Sequence, residues 1–499
     1  MAEKEETRVL TEYSLNANGM PINIEIVQAE DYVPNYNVTI PGLSNPTKLL
    51  LFSLRSELVT MVAVDTTRIE DRKYLEEINR KYAESSSLLI DKYLPGTPAD
   101  TKALLIAYII NMMLGLGDLE APLADDNLEE IAVNGSSNFI WVFHKEYGWC
   151  RTNIKPGNEE IIYDYAEQIG RRVGREINNL SPLMDAVLAD GSRLNATLYP
   201  ISQQGNTITI RKFAKNPWTM PAMIKNKTLS AEIGALIWVC IQNEISMLIS
   251  GGTASGKTSI LNASSIFFPP NRRIVSVEET RELTLPGFLQ WVPMVTRQPN
   301  PEGKGEVTLY DLSVNALRQR PDIVIVGEIR VKHDAETLFE AIHTGHAVYG
   351  TVHADNALDT IVRLTNLPID VPKIMLNALG AVIVAFRHRS RGIRRILEYG
   401  EVLRSGDVGI LYKWNPRTDS FPQIGDMTRL ADTLMLYSGY QQKEIAEDIE
   451  EKATVLNWMV KNDVLSVDDA GLVVANYYRN RSKVLDIVQN DVEFSKDIF

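Results

Sequence analysis

One octapeptide constrains this chain more than any other feature. Gly251, Gly252, Thr253, Ala254, Ser255, Gly256, Lys257 and Thr258 fit the spacing G-x-x-x-x-G-K-[ST]. The apolar run ISMLIS precedes the octapeptide, and the helix-like stretch TSILNASSIFF follows from Thr258 until Pro269 and Pro270 close it. A strand that turns through glycines into a helix aims several backbone N–H groups at one point, and the helix N-terminus adds partial positive charge. That arrangement cradles phosphate. Lys257 is positioned to bridge β- and γ-phosphate, and the Thr258 hydroxyl to take a Mg²⁺ position. Residues 251–258 together with Ser259 are the candidate nucleotide-binding set.

The surrounding texture agrees with an α/β fold. Between 229 and about 414, helical stretches alternate with the short apolar runs MLIS, RIVSV, DIVIVG, AVYGTVH and AVIVAF, the pattern of βαβ units and a mostly parallel sheet. Upstream, residues 1–20 read as an acidic flexible tail and 21–118 as a helical domain with helices near 49–64, 68–94 and 99–116. Residues 119–215 read as a second, α+β domain, including an amphipathic helix near 159–174 and a hairpin formed by DGSRLNATLYP and TITIRKF. Pro217 and Pro221 mark a hinge at 216–228. The P-loop domain is expected at 229–424 and a C-terminal helical region at 425–499, with Ser466 and Asp469 spaced as a helix-capping pair.

Carboxylates fall where a nucleotide needs them. Glu328 ends the apolar run DIVIVG, with Gly327 where many sites of this outline carry Asp. A carboxylate there needs a partner such as hydrated Mg²⁺. Glu278 and Glu279 end RIVSV, and the C-terminal edge of a parallel sheet is its ligand edge. A carboxylate near the γ-phosphate orients or deprotonates water. Thr258, Glu328 and Glu279 are the candidate metal ligands. Four of six histidines (His333, His343, His346, His353) lie within 21 residues, but zinc lacks both an HExxH pattern and a cysteine partner. His353, at a strand end, is a candidate γ-phosphate sensor. Five arginines lie between 387 and 395, and the alternation of Arg387, Arg389 and Arg391 suggests one strand face.

Composition narrows the class. The net charge is −13, with −11 in residues 1–130 and −6 in 425–499, leaving +4 in the middle. Acidic flanks disfavour a nucleic-acid coating protein. Two distant cysteines, Cys150 and Cys240, exclude a disulfide framework. The N-terminus MAEKEETRVL lacks a signal-peptide pattern. The apolar stretch 103–117 is short and interrupted by Asn111, so a buried helix in a soluble, cytoplasmic protein is expected. The guanine-reading pattern Asn-Lys-x-Asp is missing, since Thr228 and Leu229 follow Asn226 and Lys227.

In order, GGTASGKT, VEETREL, LRQRPDIVIVGEIR and TGHAVYGTVHAD resemble the secretion ATPases of type II and type IV secretion systems and type IV pili, over roughly residues 120–415. Within that family the chain resembles the archaeal branch, in particular the ATPase of the archaellum, the archaeal swimming filament. The resemblance implies a RecA-like motor domain behind a PAS-like domain, ATP and Mg²⁺ as cofactors, and a homo-hexameric ring. It implies that Glu278 is the catalytic glutamate and Glu328 the magnesium-associated one. It also implies that Arg193 and Arg211 reach the nucleotide from the preceding domain, and that His346 and His353 belong to a histidine box. Glu279 replaces the family's usual Asp, and the four-cysteine zinc module of many bacterial members is missing.

The function implied is ATP hydrolysis at the inner face of the membrane. There it would drive filament assembly, with rotation as a further expectation, through a polytopic membrane platform protein and accessory cytoplasmic motor proteins. Pilus assembly or protein secretion are alternatives within the family. A nucleic-acid translocase is the alternative from another class, and the acidic charge balance argues against a nucleic-acid partner.

Overall fold

A computed structural model describes every residue except 1–7, 29–31, 63–71, 189, 215, 300–302, 389 and 390. The chain divides into two compact units, Met1–Lys215 and Asn216–Phe499.

The first unit is built on a nine-stranded sheet ordered β1-β2-β3-β6-β5-β4-β9-β8-β7. The strands are β1 Arg8–Ala17, β2 Met20–Gln28, β3 Asn35–Thr39, β4 Leu128–Asn134, β5 Trp141–His144, β6 Gly148–Thr152, β7 Leu183–Val187, β8 Arg193–Thr197 and β9 Thr207–Arg211. Only the β3–β6 pair is parallel. In β2 every second residue, Met20, Ile22, Ile24 and Ile26, is buried, the period-two pattern of a sheet with one face on a core. Helices α1 Asn45–Met61, α2 Arg72–Tyr93, α3 Ala99–Leu114, α4 Glu120–Ala124 and α5 Glu159–Arg172 cover that core. Asn158 caps α5 by accepting from the Ile161 amide, and Ile162, Ala166 and Ile169 form its buried stripe, at helical spacing.

Two expectations are corrected here. Residues 8–17, read as part of a flexible tail, form β1, because Asn18 and Gly19 both adopt positive φ and close an antiparallel hairpin onto β2. Nor do residues 21–118 stand apart as a helical domain. β3 pairs with β6, and Ile22, Leu58, Ile109, Ile131 and Ile210 share one continuous core.

The second unit carries an eight-stranded sheet ordered β12-β11-β13-β14-β10-β15-β16-β17. These are β10 Met247–Gly251, β11 Arg273–Glu278, β12 Gln290–Val295, β13 Ile323–Ile329, β14 Ala347–Val352, β15 Ala381–His388, β16 Ile393–Val402 and β17 Val408–Lys413. The first six strands in that order run parallel, and β16 and β17 add antiparallel strands at one edge. This is an α/β architecture on a mostly parallel sheet, whose connections include helices α9 Leu309–Leu317, α10 Lys332–His343 and α11 Ala357–Thr365. Parallel strands buried on both faces read as unbroken apolar runs: in β10, Ile249 faces one core and Leu248 the other.

The segment expected as a hinge contains helix α6 Met220–Lys225, whose Met220 and Met223 are buried in the second unit's core. Likewise the C-terminal helices α12 Arg429–Ser438, α13 Gln442–Lys461, α14 Val467–Arg479 and α15 Arg481–Gln489 join that core through Leu434, Leu456, Val473 and Val484. Of these, α13 and α14 pack against α7 Ala231–Gln242, which is buried along nearly its whole length. Among the described residues no single helix is long and apolar enough to cross a membrane. α3, which spans most of the apolar stretch 103–117, buries Leu105, Tyr108 and Ile109.

Candidate functional site

β10 delivers the chain into the glycine-rich turn at Gly251. A Cβ on Gly251 would lie 2.5 Å from the Ala385 carbonyl oxygen of β15 and 2.4 Å from Ser255 Oγ, so no side chain fits where the turn leaves the sheet. Gly256, with φ +99°, caps helix α8 Lys257–Ser264 without offering a side chain. The first amides of α8 are thereby left for a ligand. The buried Ser255 hydroxyl has no partner among the described residues, another polar group suited to phosphate.

Lys257 is folded back on the turn. Its ammonium donates to the Gly251 carbonyl at 3.0 Å and the Gly252 carbonyl at 3.4 Å, and lies 3.9 Å from Glu328 Oε1. Burial holds its pKa below the ordinary lysine value, with Glu328 pulling the other way. The loop's own carbonyls thus occupy the ammonium where phosphate oxygens would replace them.

The C-terminal ends of β10, β11, β13 and β14 lie along one sheet edge, and the predicted residues gather there. Glu278 ends β11 and is 2 % exposed. Its Oε1 accepts from the amides of Glu282 at 2.9 Å and Leu283 at 3.2 Å, whereas Oε2 is buried with no partner among the described residues. Burial raises its pKa to about 7, although the two amides oppose the shift. Beside it, a Cβ on Gly327 would lie 3.3–3.5 Å from Glu278 Cα, Cβ and Cγ. A side chain at 327 would therefore press against the backbone and stem of Glu278. Gly327 and Glu328 sit where the register of β13 with β14 shifts, between Val326 and Ile329, and such irregularities re-aim side chains beside functional sites.

Glu279 and Glu328 share a guanidinium that was not singled out from the sequence. Arg330 Nη1 donates to both Glu279 oxygens at 2.6 and 2.8 Å. Its Nε and Nη2 donate to Glu328 Oε2 at 2.9 and 2.6 Å. The available signal was the two-residue spacing of Glu328 and Arg330, which puts both on one side of an extended chain. Thr258, at the start of α8, and Glu328 are hard oxygen donors of the kind that hold Mg²⁺ beside phosphates, and so they fit that ion. Bound there, Mg²⁺ would neutralise phosphate charge. Both oxygens of Glu279 are engaged by Arg330, which sets it apart from the other two metal candidates.

The histidines separate. His353 follows the C-terminal end of β14 at the site's edge and is exposed. His346 precedes β14 at its opposite end, bonded through Nδ1 to Thr344 Oγ1 and the Ala341 carbonyl, each at 3.1 Å. Six strand residues separate the two by about 20 Å. Among the described residues no cluster of three or more His, Cys, Asp or Glu could hold a metal. Arg193 and Arg211 belong to the first unit, directly opposite each other across β8 and β9, with Glu130 of β4 opposite Arg211.

The 387–395 arginines are not one strand face. β15 ends at His388 and β16 begins at Ile393, so the run folds into a hairpin; Arg389 lies outside the described residues. Arg395 is buried and forks onto Asp419, Nε to Oδ1 and Nη2 to Oδ2, both at 2.8 Å. The Arg395 hydrogen bond drives the Asp419 pKa well below the usual carboxylate range. Asp355 also escaped the sequence reading: its Oδ1 is 2.9 Å from where a Cβ on Gly252 would stand.

Residues 126–389 match the Type II/IV secretion system protein family. An uncharacterised protein of Methanocaldococcus jannaschii is 34% identical over 73% of this chain and 68% of its own length. The type IV secretion system protein PtlH of Bordetella pertussis is 26% identical over 55% of this chain and 89% of its own. The crystal structure of the pilus retraction motor PilT with bound ADP aligns at TM-score 0.42 and 16% identity, covering 71% of this chain and 95% of that one. With more than half of its length matched by one family, the chain is a member of the type II/IV secretion system protein family.

Proposed function

We propose that the protein is a Mg²⁺-dependent ATP hydrolase whose homo-hexamer powers assembly of an archaellum-type filament by acting on a membrane platform protein. The observation that carries the reading is the convergence on one sheet edge of the glycine-rich turn, Lys257, Glu328 and a buried glutamate with one oxygen that has no partner among the described residues. In this reading the amides of residues 252–258 and Lys257 bind the β- and γ-phosphates. Glu278 takes the proton from the attacking water, which needs the ionised carboxylate. Arg330 fixes Glu328 in place. Arg193 and Arg211, supplied from the first unit, neutralise the transferring phosphoryl group. Nucleotide that binds the closed arrangement more tightly than the open one converts hydrolysis into domain motion.

The similarity to an archaeal protein over most of the chain supports the archaeal branch of the family, within which the filament reading lies. The similarity to PtlH supports the second reading, protein secretion by the same motor. A deletion strain scored separately for filaments and for swimming tests the choice. Loss of the swimming filament, restored by the wild-type gene but not by Lys257→Ala, is the expected result. Normal filaments and swimming with defective export of another protein would move the assignment to secretion.

A further inference from the structure

The carboxylates of the site all arise on one flank of β10. Glu278, Glu279 and Glu328 come from β11 and β13, whereas β15 and β16 lie on the opposite flank. A triphosphate held by the turn with its γ-phosphate toward Glu278 would leave its α-phosphate and nucleoside on the β15 and β16 flank. Two arginines stand on that flank. Arg394 of β16 donates from Nε to the Ala254 carbonyl at 3.3 Å, and its Cδ is 3.6 Å from where a Cβ on Gly256 would be. Its stem therefore lies against the start of α8.

Arg387 of β15 is directly opposite Arg394 in the antiparallel ladder, so both project from the same face of the sheet. It is the α8 face, because Ala385 and Ile396, two residues away on each strand, share a core with Leu261 and Ala263 of α8. A guanidinium offers a donor fork to phosphate oxygens and a flat face to an aromatic ring such as a base.

Resting on the nucleotide reading above, we infer that Arg394, supported by Arg387, grips the nucleotide at its α-phosphate and nucleoside end. Arg394 is then a binding and positioning residue that touches ADP and ATP alike and does not follow the charge moving at the γ-phosphate. A role for these arginines in a nucleic-acid channel or in ion pairs with another protomer predicts no effect on nucleotide affinity.

The test is calorimetry of Mg·ADP and Mg·ATP against the intact wild-type protein and Arg394→Gln, Arg394→Lys and Arg387→Gln, with steady-state turnover beside it. Arg394→Gln is expected to weaken ADP and ATP by the same factor, about tenfold or more, as loss of a charge-assisted contact should. KM should rise by more than kcat falls. Arg394→Lys, which keeps the stem on Gly256 and the charge, should give an intermediate affinity, and Arg387→Gln a smaller loss in the same direction. Unchanged ADP affinity in both Arg394 variants, or a loss confined to ATP or to kcat, overturns the inference. Wild-type protein that binds neither nucleotide overturns the nucleotide reading itself.

Discussion

Glu278 illustrates how one buried carboxyl couples catalysis to stability. With an ordinary carboxylate value, its ionised form would be a weak base at neutral pH; raised to about 7 by burial, it matches the proton-transfer task. Wild-type turnover should rise with pH through about 7, and a profile flat between pH 6 and 8 would remove Glu278 as base. Glu278→Gln should keep Mg·ATP binding while slowing turnover about 10²–10⁴-fold, and equal turnover would shift the role to Glu279 or Glu328. The same shift opposes folding. The unfolded chain ionises near 4.5, so stability falls as pH rises from there to about 7 and stays reduced above it, by on the order of 3 kcal/mol. Melting curves should show the glutamine variant gaining on wild type between pH 5 and pH 8. A pH-independent gap in Tm would contradict this assignment.

Among the elements, β11 and β13 set Glu278 and Glu328 side by side, and Gly327 supplies the room. Gly327→Ala should lower kcat while leaving ATP affinity near wild type, because the added methyl presses on Glu278 and not on the turn; a fall in affinity with kcat intact would count against this packing. The β15–β16 hairpin is pinned by Arg395 and Asp419, so Asp419→Asn should destabilise the protein by about 1–3 kcal/mol in chemical denaturation, the cost of a buried guanidinium left poorly paired. That loss should shrink as pH falls through the ordinary aspartate value and vanish only around Asp419's own depressed value, where folded wild type loses the ionised carboxylate as well. These elements also show what the sequence could reveal. The parallel strands and the P-loop were legible because burial on both faces leaves uninterrupted apolar runs ending in polar residues. β1 was not, because the acidic residues just ahead of it gave the N-terminus the composition of a tail, nor was the joining of the two halves of the first sheet, because the β3–β6 pairing links residues more than a hundred positions apart. The arginine hairpin was misread for a related reason: alternation at 387, 389 and 391 matches a strand, and only the pairing of β15 with β16 shows the turn between them. Arg330 was hidden because its role depends on Glu279, which arrives from another strand.

At the scale of the whole molecule, two units with separate cores hold different parts of the proposed machine: the phosphate turn and carboxylates in the second, Arg193 and Arg211 in the first. If those arginines serve the transferring phosphoryl group, Arg193→Gln and Arg211→Gln should each depress turnover far more than ATP affinity, within the 10³–10⁵-fold span known for supplied arginines; unchanged turnover would confine the chemistry to the second unit. The acidic balance of −13 leads to a further expectation, that single-stranded DNA leaves hydrolysis unstimulated even at low salt. The outcomes that concern turnover and nucleotide affinity all presuppose that the 251–258 turn holds the triphosphate. Calorimetric titration of Mg·ATP into wild-type protein and Lys257→Ala tests that most directly. The account predicts a wild-type site whose affinity falls at least about tenfold when the charge-assisted lysine contact is removed; equal affinity in the two proteins would contradict it.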